Sequence, residues 1–162
     1  MGARVFPARL RRRIGLTLII DSVARIEFLT GGVHGPTVRR RFESGDLLIT
    51  PELVLAEVAR KYGRDGQSGD LTHGHVRGMV ALSDIQPLTT EIAMGIVTAV
   101  SELRAHARRH KLDPPSSADS VILATARVRR GKVLTADRHF SDIADVDWMG
   151  ESALRREPLE SR

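Results

Sequence analysis

The sequence has no cysteine, which excludes disulfide bonds, thiolate-bound zinc, iron–sulfur clusters and a cysteine nucleophile. It also has no apolar run close to the roughly 20 residues that a transmembrane helix needs. The arginine-rich residues 1–15 resemble the start of a signal peptide, but the apolar run at 16–20 ends at Asp21 and is too short. We therefore expect a cytoplasmic protein that does not enter a membrane.

Lysine is scarce as well, and arginine supplies most of the positive charge in a chain of 162 residues with a net charge of +5. Arginine binds phosphate groups through its planar fork, so a nucleic acid is a reasonable partner, although a surplus of this size also simply aids solubility. An apolar fraction of 41% and a charged fraction of 28% are typical of one folded domain. We predict a domain at 16–150, a polar tail at 151–162 and a basic tail at 1–15, which we interpret as a disordered extension rather than an arm that binds nucleic acid.

Short apolar runs alternate with helical patterns along the predicted domain. The runs predict strands at 16–20, 47–50, 85–88, 132–135 and 146–148. Helices are predicted between them: one ends at Gly31-Gly32, one starts at Pro36, and a long one starts at Thr89 or Thr90 with an apolar face of Ile92, Ile96, Val97, Val100 and Leu103. A mobile, glycine-rich loop is predicted at 63–70. This alternation favours an α/β fold, a three-layer α/β/α domain around a central, mainly parallel sheet.

Four acidic residues follow the predicted strands or lie in the helices after them: Asp21, Glu57, Asp119 and Asp137, which we call the acidic quartet. Taken singly, each is more readily explained as a helix cap, a first-turn residue or a solvated side chain. Taken together, they would meet at the carboxyl ends of the strands, where ligands bind in open parallel sheets. Carboxylates gathered there repel one another unless a cation neutralises them, and a divalent metal with oxygen ligands would do so.

The segments around the quartet resemble the four signature blocks of PIN-domain ribonucleases, in the family's order, and the nearest sub-group is the VapC-like toxins. The resemblance spans about residues 16–148 and rests on four segments: Leu18-Ile19-Ile20-Asp21-Ser22, Leu53-Val54-Leu55-Ala56-Glu57-Val58, Ser117-Ala118-Asp119-Ser120-Val121-Ile122-Leu123-Ala124-Thr125-Ala126, and Val133-Leu134-Thr135-Ala136-Asp137-Arg138-His139-Phe140. Each block is weak alone, but the ordered set is fairly specific.

The resemblance implies an Mg²⁺- or Mn²⁺-dependent endoribonuclease whose quartet holds the metal. Asp21 and Asp119 are then the expected direct ligands, while Glu57 and Asp137 bind through water or orient the nucleophile. The candidate substrate-binding residues near the quartet are Ser22, Arg25, Thr135, Arg138 and His139. A toxin role further implies an RNA substrate, a small antitoxin partner and a homodimer.

Two departures from the family pattern leave alternatives open. Val23 replaces a small or amide residue, and His139 stands where many members have a further acid, which Asp142 would have to replace. A non-catalytic module that binds RNA or protein, or a housekeeping nuclease that processes RNA, therefore remains an alternative. Phosphoryl transfer through Asp21 is a weaker one, because the second aspartate that such folds usually carry is Val23 here.

Overall fold

The computed structural model describes residues 15–150, and the predicted tails lie almost entirely outside this range. The centre of the domain is a five-stranded sheet in the order β3-β2-β1-β4-β5, and all four neighbouring pairs are parallel. The strands are β1 (Thr17–Ile20), β2 (Leu47–Pro51), β3 (Asp84–Gln86), β4 (Lys132–Thr135) and β5 (Val146–Trp148). The parallel α/β fold that the sequence predicts is thus confirmed.

In the described range, six α-helices accompany the strands, and a short 3-10 helix (Arg138–Phe140) follows β4. The α-helices are α1 (Ser22–Thr30), α2 (Gly35–Glu43), α3 (Glu52–Arg64), α4 (Gly69–Leu82), α5 (Thr90–His110) and α6 (Ser117–Val128). None of the helices within residues 15–150 is both long and apolar enough to cross a membrane.

Helices pack on both faces of the sheet because successive strand residues point to opposite sides. On one side Ile19, Ile49 and Val133 join a core that contains the buried faces of α3, α5 and α6. On the other side the intervening strand residues pack with Ala24 of α1 and Val38 of α2. Two cores on a shared sheet give the three-layer arrangement.

The chain reverses its direction of travel across the sheet at β1. It runs outward from β1 to β2 and β3, and then returns to place β4 on the other side of β1. Gly131 permits this close return, since a Cβ atom there would lie 2.6 Å from the carbonyl oxygen of Thr17. The carboxyl ends of β1 and β4 consequently form a topological switch point, where open α/β sheets bind ligands.

Two local predictions were wrong. Residues 63–70 are not a long loop, because α3 continues to Arg64 and α4 begins at Gly69 after Ser68, whose hydroxyl accepts a hydrogen bond from the amide of Leu71 at 3.2 Å. Burial of Met79 in the main core helps to offset the cost of the glycines in α4. Val97 of α5, expected in the buried face, is 70% exposed, and Ala99 and Leu103 are buried on that helix.

Candidate active site

Asp21 lies at the switch point, directly after β1, and forms the N-cap of α1. One carboxylate oxygen accepts a hydrogen bond from the amide of Ala24 at 2.7 Å, and the other accepts one from the hydroxyl of Thr135. The residue is only 3% exposed. Burial, assisted by the nearby charges of Asp137 and Asp119, raises the pKa of Asp21 from its ordinary value of 3.8 to about 7, against these two hydrogen bonds.

Asp137 reaches the same point from β4 through Thr135. The Thr135 hydroxyl, which donates to Asp21, accepts a hydrogen bond from the amide of Asp137 at 2.9 Å. Thr135 is fully buried, so this hydroxyl fixes the ends of β1 and β4 relative to each other. Asp137 is also the N-cap of the 3-10 helix, which leaves one of its carboxylate oxygens without a hydrogen bond from residues 15–150.

His139 pairs with Asp137 instead of extending the set of carboxylates. Its Nδ1 lies 2.9 Å from the Asp137 carboxylate, and its Nε2 lies 2.8 Å from the carbonyl oxygen of Asp113. Burial alone would lower the pKa of His139, but the hydrogen bonds to Asp113 and Asp137 and the neighbouring negative charges raise it overall. Because both ring nitrogens face acceptors, the contacts favour the imidazolium form.

Asp119 enters from the first turn of α6 and is held by a capping box with Ser116. The amide of Ser116 donates to the Asp119 carboxylate at 2.7 Å, and the Ser116 hydroxyl accepts from the amide of Asp119 at 3.2 Å. Burial raises the pKa of Asp119, and the charge of Asp137 adds to the rise. The role of Ser116 in orienting this carboxylate could have been inferred from the Ser-x-x-Asp spacing, which is a capping-box signal.

Glu57 completes the group from α3 and is half buried. Burial is the main cause that raises its pKa, and the charges of Asp119 and Asp137 act in the same direction. The nearby hydroxyl of Ser22 lowers the pKa of Glu57 in part. Each member of the quartet thus lies close enough to feel the charge of at least one other.

The quartet forms an acidic site rather than a set of ion pairs. Within residues 15–150 none of its carboxylates forms a salt bridge to lysine or arginine, and the one ion-pair partner within 4 Å is the His139 ring when it is protonated. The charge of Arg60 also acts on Glu57 and lowers its pKa in part. No three of these carboxylates in the described range place an oxygen each within 4.8 Å of one another. At this spacing, three of the carboxylates would not bind one ion directly. The group therefore suits a hard divalent cation such as Mg²⁺, which keeps several waters and takes few carboxylates directly.

The other candidate residues fall into different environments. Arg138 is exposed beside the site, whereas Arg25 is completely buried. The Arg25 guanidinium donates to the Thr50 hydroxyl at 2.7 Å and lies 4.8 Å from the ring centroid of Phe42. Its position in the core does not allow contact with a phosphate at the surface. Asp142 lies with His110, 3.3 Å from the ring, and does not take the place of the acid that His139 replaces.

The fold and the site define an α/β/α domain with an acidic site at the carboxyl end of a parallel sheet. The family model of the PIN domain matches residues 18–146, and the chain therefore belongs to the PIN-domain family. The resemblance seen in the sequence is confirmed. Comparison with curated protein sequences gave no match.

Solved structures with the same fold include toxin–antitoxin proteins. VapBC2 from Rickettsia felis, bound to a DNA fragment from its promoter, is 14% identical with a TM-score of 0.60, over 81% of this chain and 96% of that one. DNA-bound VapBC from Salmonella typhimurium is 20% identical with a TM-score of 0.56, over 81% and 95%. VapC20 from Mycobacterium tuberculosis, a Sarcin-Ricin loop cleaving toxin, is 15% identical with a TM-score of 0.55, over 72% and 85%. The fold is thus that of VapC-like toxins.

Proposed function

We propose that the protein is a metal-dependent endoribonuclease that hydrolyses phosphodiester bonds in RNA. The observation that carries this proposal is the convergence of Asp21, Glu57, Asp119 and Asp137 at the switch point of a PIN-domain sheet, without a lysine or arginine ion pair in the described range. Raised pKa values at Asp21, Glu57 and Asp119 indicate an excess of buried negative charge, which a divalent cation would neutralise.

Asp21 and Asp119 are the carboxylates that we assign to direct contact with Mg²⁺ or Mn²⁺. Both are oriented by hydrogen bonds from the chain itself, Asp21 through Ala24 and Thr135, and Asp119 through Ser116. Glu57 and Asp137 would hold metal-bound waters or orient the attacking water. When bound, the metal supplies an activated water and neutralises charge on the phosphate.

Residues beside the quartet would position the RNA. Arg138 is exposed next to Asp137 and is the candidate for contact with a phosphate. Ser22 and Thr135 are better suited to orient Glu57 and Asp21, because their hydroxyls lie against those carboxylates. His139 places a positive charge on Asp137, which would limit how strongly that carboxylate binds a second cation.

We further propose a cytoplasmic toxin of the VapBC type, with a small antitoxin partner and a homodimeric assembly. The support is the shared fold with VapBC structures from Rickettsia felis and Salmonella typhimurium, and with a toxin that cleaves the Sarcin-Ricin loop. Co-purification from the native host would detect the antitoxin. Harmless overexpression of the free chain would instead favour a housekeeping nuclease.

Substitution Asp119→Asn tests the nuclease assignment. Asparagine at position 119 can still accept the hydrogen bond from the Ser116 amide at the start of α6, but it lacks the negative charge that would hold the metal. We expect Mg²⁺- or Mn²⁺-dependent cleavage of RNA to fall by 100-fold or more in a gel assay, and the wild type to be inactive in EDTA.

The matched control is Asp70→Asn, which changes an exposed aspartate in the first turn of α4. This variant should cleave RNA like the wild type. Equal cleavage by Asp119→Asn, with circular dichroism showing a folded protein, would refute the assignment.

A non-catalytic binding module is the alternative that one observation favours. His139 occupies the place of a family acid and neutralises Asp137, which weakens the case for a complete metal site. Calorimetry separates the two functions, because a binding module would give no heat with tens of millimolar Mg²⁺ or with Mn²⁺. Metal binding that disappears in Asp119→Asn would instead support the nuclease.

A further inference from the structure

A second cluster of metal-ligating side chains lies at the C-terminal end of α5 and shares no residue with the acidic quartet. One ring nitrogen each from His106 and His110 and one carboxylate oxygen from Asp142 lie within 4.8 Å of one another. They are the only group of three or more histidine, aspartate or glutamate ligands at this spacing in residues 15–150. We propose that these three residues form a binding site for a transition metal of the Zn²⁺ class, which we call the α5 site.

The positions of the two histidines follow from the helix. Residues four apart lie on the same face of an α-helix, so His106 and His110 are neighbours one turn apart. Their ring centroids are 4.2 Å apart. Asp142 comes from the segment after the 3-10 helix, so the site joins two elements that are separate along the chain.

The ligand spacing matches a tetrahedral metal. Zinc bonds to imidazole nitrogen and carboxylate oxygen of 2.0–2.2 Å give a separation of about 3.3 Å between two ligands at a tetrahedral angle. The Nε2 atom of His110 lies 3.3 Å from a carboxylate oxygen of Asp142. The ligand nitrogen of His106 lies within 4.8 Å of both other ligand atoms, so it would have to approach them by at most about 1.5 Å, and a water would complete the coordination.

His106 has an unusual hydrogen-bonding state that supports the site. It is fully buried, its Nε2 lies 3.1 Å from the carbonyl oxygen of Arg138 and 3.4 Å from the Ser141 hydroxyl, and its Nδ1 has no hydrogen-bond partner among residues 15–150. Since Nε2 faces a carbonyl oxygen and must donate, the lone pair of the neutral ring is on Nδ1. Metal-ligating histidines commonly donate their second nitrogen to a backbone carbonyl in this way.

The two sites should select different metals. Two imidazoles and one carboxylate suit Zn²⁺, Ni²⁺ or Co²⁺, whereas the all-oxygen quartet suits Mg²⁺ or Mn²⁺. His110 and Asp142 are 41% and 67% exposed at their side chains, so an ion can enter from solvent. A bound cation would tie the end of α5 to the segment that follows Asp137, and its expected effect is on stability.

Zinc titration of tag-free protein tests the proposal. We expect one Zn²⁺ to bind by calorimetry, with His110→Ala and Asp142→Asn each losing at least tenfold in affinity. At a Zn²⁺ concentration of 100 times Kd, Tm should rise by about 5–10 °C in the wild type and by much less in either variant. Co²⁺ should give a visible absorption band that His110→Ala abolishes.

Two controls separate the α5 site from other zinc binding. His73→Ala removes an exposed histidine of α4 and should leave Zn²⁺ affinity unchanged. Asp119→Asn should also leave it unchanged, because that residue belongs to the quartet. Equal Zn²⁺ affinity of His110→Ala and the wild type, loss of Zn²⁺ binding in Asp119→Asn, or no binding by the wild type would each overturn the proposal. None of these results depends on RNA cleavage, so the nuclease assignment is tested separately.

Discussion

At the scale of single residues, Thr135 connects the two halves of the site. Its hydroxyl donates to the Asp21 carboxylate and accepts from the Asp137 amide. The hydrogen bond to Asp21 stabilises the charged carboxylate and so lowers its pKa, in opposition to the larger effect of burial. A side chain without the hydroxyl would leave a buried carboxylate oxygen and a backbone amide without their partner.

Substitution Thr135→Val should therefore destabilise the protein by about 1–3 kcal/mol, since valine has a similar shape but cannot form these hydrogen bonds. Urea unfolding in EDTA measures the loss. Metal-dependent cleavage should fall as well, because Asp21 loses a group that orients it. Thr125→Val is the control, since the Thr125 hydroxyl donates only to the carbonyl of Val121 in its own helix, at 2.7 Å. Similar losses in both variants would contradict this role of Thr135.

At the scale of elements, the site is built from the starts of helices. Asp21 caps α1, Asp119 lies in the capping box of α6, and Asp137 caps the 3-10 helix. Each of these residues can therefore cap a helix and also bind a metal together with the others. A carboxylate has two oxygens and several lone pairs, so it can accept from a helix amide and still coordinate a cation.

Substitution Ser116→Ala separates capping from orientation. Removing the hydroxyl should cost about 1 kcal/mol in the free energy of unfolding, a typical value for an N-cap. Ser68→Ala removes the N-cap of α4 and should cost a similar amount. Alanine at position 116 keeps the backbone amide that donates to the Asp119 carboxylate but loses the hydroxyl that accepts from the Asp119 amide. Only Ser116→Ala is expected to reduce cleavage and metal affinity, because only this hydroxyl fixes the helical turn that carries a quartet carboxylate. Equal activity of the two variants would show that this contact does not orient Asp119.

Most elements could be predicted from the sequence, because their signals are local. Apolar runs marked the strands, and Ser, Thr, Pro and Gly marked many helix ends, as at Thr89, Pro36 and Gly31. The start of α4 was not predicted, because glycine and polar residues at 63–70 are typical of a loop. The burial of Met79, which helps to stabilise α4, depends on tertiary packing that the local pattern does not show. The position of the quartet followed from the rule for parallel sheets.

At the scale of the whole molecule, contacts between distant segments could not be predicted. The burial of Arg25 depends on Phe42 of α2 and Thr50 of β2, which the sequence gives no means to bring together. The hydrogen bond from His139 to the carbonyl of Asp113 likewise joins residues 26 positions apart. The predicted tails at 1–15 and 151–162 stay predictions, since residues 1–14 and 151–162 lie outside the described range.

The buried charge of Asp21 should make the stability of the metal-free protein depend on pH. Its pKa is about 7 in the fold and near its ordinary value of 3.8 when unfolded, so the native state holds the extra proton between these values. Stability therefore falls as pH rises from about 4 to 7, by up to about 4 kcal/mol. His139 acts in the same direction at higher pH, because its pKa is raised and its stabilisation is lost as it deprotonates.

Urea unfolding at pH 5 and pH 8 in EDTA measures this dependence, and Mg²⁺ should restore stability at pH 8 by favouring the charged carboxylates. In Asp21→Asn the fall between the two pH values should be clearly smaller than in the wild type. An equal fall in both proteins would assign the dependence to other groups.

The hydrogen bond between Asp21 and Thr135 also has a consequence for synthesis of the chain. The two residues are 114 positions apart, and β1 acquires its neighbour β4 only near the end of the described domain. Pairings of this separation form late, since a long loop must close before they contribute. A ribosome-bound chain that has not yet exposed β4 lacks the Thr135 hydroxyl that holds the Asp21 carboxylate, so the proposed nuclease would remain inactive until β4 has left the ribosome.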